Sequence, residues 1–371
     1  MSRPAPKPVA PRIDNVRASA YTIPTDFPES DGTIQWDKTT LIVVQVESGD
    51  ATGLGYTYGD ASTAQLISGH LREVAVGRDP MDIPGSWLSM VQSVRNIGRP
   101  GIASTAISAV DIALWDLKAK MLGLPLVKLI GSVRGGIPVY GSGGFTSYSL
   151  DQLQRQLSGW ADSGIRMVKM KIGRQPEEDP ERVRAAREAI GKDTQLFVDA
   201  NGAYSRKQAL GLAERFHDMG VTWFEEPVSS DDLEGLRLIR DRAPAGMEIA
   251  AGEYGYMPVY FRRMLEAGAV DVLQADGTRC GGITGFLEAS ALCTAYSLPL
   301  SAHTAPAIHM HVCCAAPAAV HLEYFHDHAR IENMLFEGVQ QPKEGVLKPD
   351  LSRPGLGLSL KRNQAAKYEN R

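Results

Sequence analysis

From Ile137 onward the chain alternates short apolar runs with longer segments of mixed polarity. The runs are Ile137 to Tyr140, Met167 to Ile172, Leu196 to Asp199, Thr222 to Glu225, Glu248 to Gly252, Val270 to Gln274, Leu298 to Ala302 and, more weakly, Val320 to Tyr324. Each is of strand length, and helical segments separate them, which is the pattern of a parallel sheet covered on both faces. Eight such runs predict a closed (β/α) barrel rather than an open doubly wound sheet. Before Gly131 to Gly136 the pattern differs. "TTLIVVQVES" (Thr39 to Ser48) reads as a strand and "GLGYTYG" (Gly53 to Gly59) as a glycine-rich loop. A long helix follows from Ser104, with Ile107, Val110, Leu114, Leu117 and Met121 recurring at three or four until Gly123 and Pro125 end it. Strands followed by helices predict an α+β domain over 13–131, ahead of a barrel over 132–340. The turn-rich tail over 341–371 is expected to pack back on the first domain, and residues 1–12 to be disordered.

Composition narrows the function by exclusion. The 371 residues carry a formal net charge of -4, so there is no basic excess to bind nucleic acid or an anionic membrane. Cys280, Cys293, Cys313 and Cys314 show no C-x-x-C spacing; small buried hydrophobes in a reducing compartment explain them better than zinc or disulfides. The N-terminal "MSRPAPKPVAPRID" lacks the apolar run of a signal peptide, and no later segment has eighteen uncharged apolar residues. A cytoplasmic protein with no membrane partner is expected.

The strand ends carry the chemistry. In "MVKMKIG", Lys169 and Lys171 sit two apart, so both point to one face, where two ammonium groups are costly unless compensated. The following strands end in Asp199 and Asn201, in Glu225 and Glu226, in Glu253, in Asp276 and Arg279, and in His303. From Lys169 to Asp199, Glu225, Glu253, Asp276 and His303 the steps are 30, 26, 28, 23 and 27 residues, one βα unit each. Singly, such residues cap helices or satisfy local bonds. Six in succession converge on one barrel mouth, where active sites of this fold lie. Asp199, Glu225 and Glu253 would repel one another without a cation, and oxygen ligands free of Cys and His select Mg²⁺ or Mn²⁺. Strand alternation sends one of Glu225 and Glu226 inward; the first is taken as the ligand, and the second is expected to pair with a basic neighbour. A lysine near a cation has its pKa lowered toward the working range of a base. His303 and Asp276, on adjacent strand ends, suit a His-Asp dyad.

The ordered set "KMK", "DAN", "EEP", "GE", "DGTRCGG" and His303, with the helix "SAVDIALWDLKAK", resembles the mandelate racemase subgroup of the enolase superfamily. That resemblance spans nearly the whole length and implies an N-terminal α+β capping domain on a modified TIM barrel of (β/α)7β type. It implies Asp199, Glu225 and Glu253 as Mg²⁺ ligands, and Lys171 as the base on one face. Lys169 would touch the substrate carboxylate and tune its neighbour, while His303 with Asp276 would act on the other face. Asn201 and Arg279 would support the site. Glu323, with Glu332 as its competitor, would hydrogen-bond the substrate carboxylate. The implied partner is a small-molecule carboxylate, and the implied assembly a homo-oligomer, dimer to octamer.

The implied reaction abstracts the proton α to a carboxylate through an enediolate. Dehydration of a sugar acid to a 2-keto-3-deoxy acid is the first reading, racemisation or epimerisation of a 2-hydroxy acid the second, and a non-catalytic binding module the third. Lid loops are expected at Thr22 to Thr40 and at "GLGYTYG", where Tyr56 is assigned to substrate and Tyr58 accompanies it. Polar lids suit a polyhydroxylated acid, and His309, His311, His326 and His328 are candidates for hydroxyl contacts.

Overall fold

A computed structural model describes residues 11–370, so the first ten residues of the expected disordered N-terminus lie outside the described residues. At Arg12 the chain is already attached, its guanidinium donating to Gly77 O at 3.2 Å, and Ile13 is buried.

The capping domain is an antiparallel sheet of β1 (Asn15–Ser30), β2 (Gln35–Ser48) and β3 (Ala51–Tyr58), in that order. The apolar run of β2 serves two cores by alternation. Ile42, Val44 and Val46 pack with the helices of the cap, while Leu41 and Val43 join the core shared with the barrel. "GLGYTYG" is therefore not a loop: its first six residues belong to β3. Its glycines admit the helix Ile102–Met121, because a Cβ on Gly53 would lie 2.1 Å from Ala113 O and one on Gly55 2.2 Å from Ala109 O. The stretch Thr22 to Thr40 is likewise not open loop but the end of β1, a tight turn over 31–34, and the start of β2.

The barrel is closed and parallel, of eight strands: β4 (Ile137–Gly143), β5 (Met167–Lys171), β6 (Gln195–Asp199), β7 (Val221–Glu225), β8 (Glu248–Ala251), β9 (Val272–Ala275), β10 (Leu300–Ala302) and β11 (Ala319–Phe325). Closure is made by β11 on β4, with Leu322 opposite Val139. Tyr140, Phe197, Trp223, Ala250 and Val272 fill the interior as a compact cluster. Helices alternate with the strands until β11, which runs directly into the helix His326–Leu335. That helix binds the cap: Asp327 accepts from Thr39, Glu332 from the Tyr56 hydroxyl at 2.5 Å, and His328 stacks on Tyr58.

The tail touches both domains. Val346–Leu347 pairs with β4, Leu126 N donates to Gly355 O, and Asn370 N donates to Ala20 O. All four cysteines are buried free thiols. Among the described residues no helix is long and apolar enough to cross a membrane.

Candidate active site

Strand register sets one tier of ions. Lys171 on β5 lies opposite Asp199 on β6, and Asp199 opposite Glu225 on β7. Glu253 follows β8 through Gly252, whose φ of 136° and close approach to Gln274 O (2.1 Å from a would-be Cβ) only glycine accommodates. One carboxylate oxygen each from Asp199, Glu225 and Glu253 lies within 4.8 Å of the others, and all three residues are buried. Burial, and next the Asp199 charge, push the Glu225 carboxyl up to about 8. Glu253 Oε2 makes no hydrogen bond, although His303 Nε2 lies 3.3 Å away. Buried, mutually repelling, all-oxygen and partly unbonded, this donor set fits a hard divalent cation.

Glu226 departs from expectation. It is buried at a φ of 37°, forms no ion pair among the described residues, and its Oε1 has no hydrogen-bond partner. Burial and then the Glu253 charge hold its carboxyl well above the usual range, so the residue beside the triad is unpaired with any base.

The lysines share Asp199, whose Oδ2 is 3.5 Å from Lys169 and 2.5 Å from Lys171, but differ in their other neighbours. Lys169 is fully buried below the pocket, 2.5 Å from Glu225 Oε1, 2.8 Å from Glu323 Oε1 and 5.4 Å above the Tyr140 ring. It is not in the pocket wall, so its contacts are protein carboxylates. Lys171 reaches the wall and lies 2.5 Å from Asp199 Oδ2. Burial depresses the Lys171 ammonium, but Asp199, Glu253 and Glu225 together outweigh burial and Lys169 and raise it.

Across the mouth, His303 Nδ1 and Asp276 Oδ2 are 2.9 Å apart. Thr278 N and Oγ1 each donate to Asp276 Oδ1 at 2.7 Å, fixing the carboxylate. Burial opposes charge on His303, but Glu253, Glu323 and the Asp276 bond together raise it. Arg279 donates to Glu253 O at 3.2 Å and stacks 5.3 Å from the Tyr254 ring centre. Asn201, at a φ of 47°, donates its backbone N–H to Asp199 Oδ1 and leaves its own side-chain Oδ1 unbonded.

These groups border a cavity of about 260 Å³ whose wall includes Lys171, Asn201, Glu253, Arg279, His303 and Glu323. The roof comes from the capping hairpin, with Trp36, Lys38, Thr39 and Thr40. A larger cavity of about 430 Å³, between cap and tail at Lys120, Arg353 and Arg362, holds none of this chemistry. Of the two competing glutamates, Glu323 lines the site, bonded by Ser142 Oγ at 2.6 Å and Thr304 N at 3.2 Å. Burial opposes its ionisation, yet Lys169 and His303 hold its carboxyl well below the ordinary range. Tyr56 does not line the cavity: it is fully buried with its hydroxyl on Glu332. Among the four extra histidines only His328 reaches the wall. His309 braces the dyad from behind, its Nδ1 on Thr304 O at 2.7 Å and its Nε2 accepting from Gly277 N at 2.8 Å. Thr304, Tyr254 and Phe325 complete the wall without having been singled out in the sequence; each is a neighbour of a strand-end ion, which was the available signal.

With this geometry in place, comparison with known proteins is decisive for family. Residues 18–131 match the mandelate racemase / muconate lactonizing enzyme, N-terminal domain, and residues 152–365 match the enolase C-terminal domain-like family. A mandelate racemase/muconate lactonizing enzyme-like protein from Rubrobacter xylanophilus is 56% identical in sequence, with a TM-score of 0.95 over 97% of this chain and 100% of that one. L-talarate/galactarate dehydratase of Salmonella typhimurium is 34% identical over 365 residues, 94% of this chain and 89% of that protein. Its crystal structure liganded with Mg and L-lyxarohydroxamate matches at a TM-score of 0.89 and 31% identity, covering 100% of this chain and 96% of that one. The 3,6-anhydro-alpha-L-galactonate cycloisomerase of Streptomyces coelicolor is 35% identical over 360 residues, 94% of this chain and 97% of that protein. Two matched domains in the expected order, carrying the strand-end ions described above, mean that the chain belongs to the mandelate racemase/muconate lactonizing enzyme family of the enolase superfamily.

Proposed function

We propose that this protein is a Mg²⁺-dependent acid-sugar dehydratase, removing the proton α to a carboxylate and then a β-hydroxyl to leave a 2-keto-3-deoxy acid. The observation that carries the reading is the pairing of two proton-transfer groups, Lys171 and the His303–Asp276 dyad, across one small cavity above a buried carboxylate triad. Mg²⁺ held by Asp199, Glu225 and Glu253 would supply the positive charge that offsets the developing enediolate. Lys171, at the cavity wall with its Nζ 2.5 Å from Asp199 Oδ2, is the base in this reading. Nζ of Lys171 then takes the α-proton. Lys169, from below, keeps Glu225 and Glu323 in place, and Arg279 and Asn201 border the substrate. His303, held by Asp276 through Nδ1, presents a protonated Nε2 to the β-hydroxyl, which departs as water. The resulting enol tautomerises to the ketone.

Racemisation or epimerisation of a 2-hydroxy acid is the second reading, favoured by the same two-sided arrangement, since His303 could return a proton where no leaving group is present. Proton NMR in D₂O with Mg²⁺ and a panel of aldonic and aldaric acids separates them. Loss of water with a keto product is expected. Deuterium exchange at the α-carbon without loss of water makes the racemase reading correct, and neither change on any acid sinks both.

A further inference from the structure

β1 loses register with β2 between Pro24 and Glu29, and this irregular segment approaches the start of the helix His326–Leu335. One ligand atom from each of Asp26, Glu29 and His326 lies within 4.8 Å of the other two. His326 Nε2 is 3.1 Å from Asp26 Oδ2, and Arg330 Nε is 3.7 Å from Asp26 Oδ1. Glu29 is fully buried: its Oε2 accepts from Trp36 Nε1 at 2.8 Å, whereas its Oε1 has no hydrogen-bond partner. A buried carboxylate oxygen left unbonded is costly and calls for a counterpart. Burial, and then the charge of Asp327, push the Glu29 carboxyl up to about 9. The seam as it stands sets Asp26, Glu29 and Asp327 against the single guanidinium of Arg330, and Asp327 is already engaged by Arg330 and Thr39. Asp26 and His326 also border a surface cavity of about 390 Å³, which gives an ion and its remaining water ligands a way in.

We propose that Asp26, Glu29 and His326 form a second cation site, for Zn²⁺ or a similar borderline divalent ion, that fastens the capping hairpin to the barrel. An imidazole with two carboxylates suits such an ion, whereas the all-oxygen triad in the barrel suits Mg²⁺. On binding, His326 Nε2 gives up its proton and its bond to Asp26, and Glu29 binds as the carboxylate. Since β1 leads into the hairpin that bears Trp36 and Lys38, the ion would tether the roof of the pocket to the helix after β11.

The test is Zn²⁺ titration of the full chain in excess Mg²⁺, with bound metal measured by mass spectrometry. One Zn²⁺ per chain retained against the Mg²⁺ is expected, with a rise in the unfolding midpoint that scales with free Zn²⁺. His326→Ala and, separately, Asp26→Asn should each weaken that Zn²⁺ by about tenfold or more. Asp26 is exposed, so its variant keeps the test usable if the histidine variant does not fold. Absence of Mg²⁺-resistant Zn²⁺ in the unaltered protein, or unchanged Zn²⁺ affinity in a folded variant, would overturn the proposal.

Discussion

The floor of the pocket is crowded with ions from consecutive barrel strands, whereas the roof contributes from a hairpin an isoleucine, a tryptophan, two threonines, one exposed lysine and Asp31, whose carboxylate is taken up by the hairpin's own Thr33 and Ile34 N–H groups. Each floor ion is held by another: Lys169 by Glu225 and Glu323, Lys171 by Asp199, His303 by Asp276. The roof is held by shape and by single contacts. A Cβ on Gly32 at its tip would sit 2.4 Å from Ala200 O and 2.8 Å from Ile172 O, while Ser30 bonds Thr146 and Tyr56 bonds Glu332. A coupled ionic floor cannot lose one member without stranding its partner, but a roof of separate contacts can be loosened one contact at a time.

That contrast orders the expected effects of mutation. Lys171→Ala removes the proposed base and leaves Asp199 without its closest cation, so turnover should fall by about a thousandfold or more, read as kcat with saturating Mg²⁺. A variant with near-normal turnover would move the base elsewhere. His303→Asn should lower dehydration by about a hundredfold or more while solvent deuterium still enters at the α-carbon through Lys171, a split visible by NMR. If dehydration persists in full, His303 is not the acid.

At the roof, Gly32→Val should lift the hairpin rather than disturb the ions. KM is expected to rise about tenfold with kcat changed less, and the steric clash should cost roughly 1–3 kcal/mol of stability. An equal loss in kcat would mean that the hairpin reaches into the chemistry. The smallest effect on turnover belongs to Glu332, the seam residue under the roof, whose carboxyl burial pushes up to about 8 despite its bonds from Tyr56 and Ala307. Its proton is held more tightly in the folded than in the unfolded chain. Stability therefore falls as pH rises from the ordinary carboxylate range toward 8, by at most about 1.4 kcal/mol per pH unit. Glu332→Gln should abolish that dependence, so unfolding midpoints of the two proteins should diverge in favour of the variant between acid and mildly alkaline pH. Parallel curves would show that Glu332 is already ionised.

The barrel was legible because its signal is local and repeated. Short apolar runs marked all eight strands, and ionisable residues at the ends of the second to the seventh marked the mouth. The weakest run, around Glu323, is nonetheless a full strand, since pairing with both β10 and β4 at the closure supplies what its composition lacks. "GLGYTYG" misled because glycine signals equally a turn and a close approach, and only the helix packed on Gly53 and Gly55 distinguishes the two. Tyr56 moved from lid to core for the same reason. Glu226 defied its expected basic partner because its left-handed backbone leaves β7 and turns it into carboxylate company.

By itself the sequence determined which barrel strands exist, which side chains share a face, and that acids, lysines and a histidine arrive at one barrel mouth, because pleating and βα spacing are properties of the local chain. Only the tertiary structure decided which of Glu323 and Glu332 borders the cavity and that Lys169 lies beneath it. It also decided that Lys171 sits against Asp199, and that Asp26, Glu29 and His326 meet at the seam. Those outcomes depend on distances of a few ångströms between segments remote in the chain, and both the Coulomb energy and the desolvation of a buried charge turn on such distances.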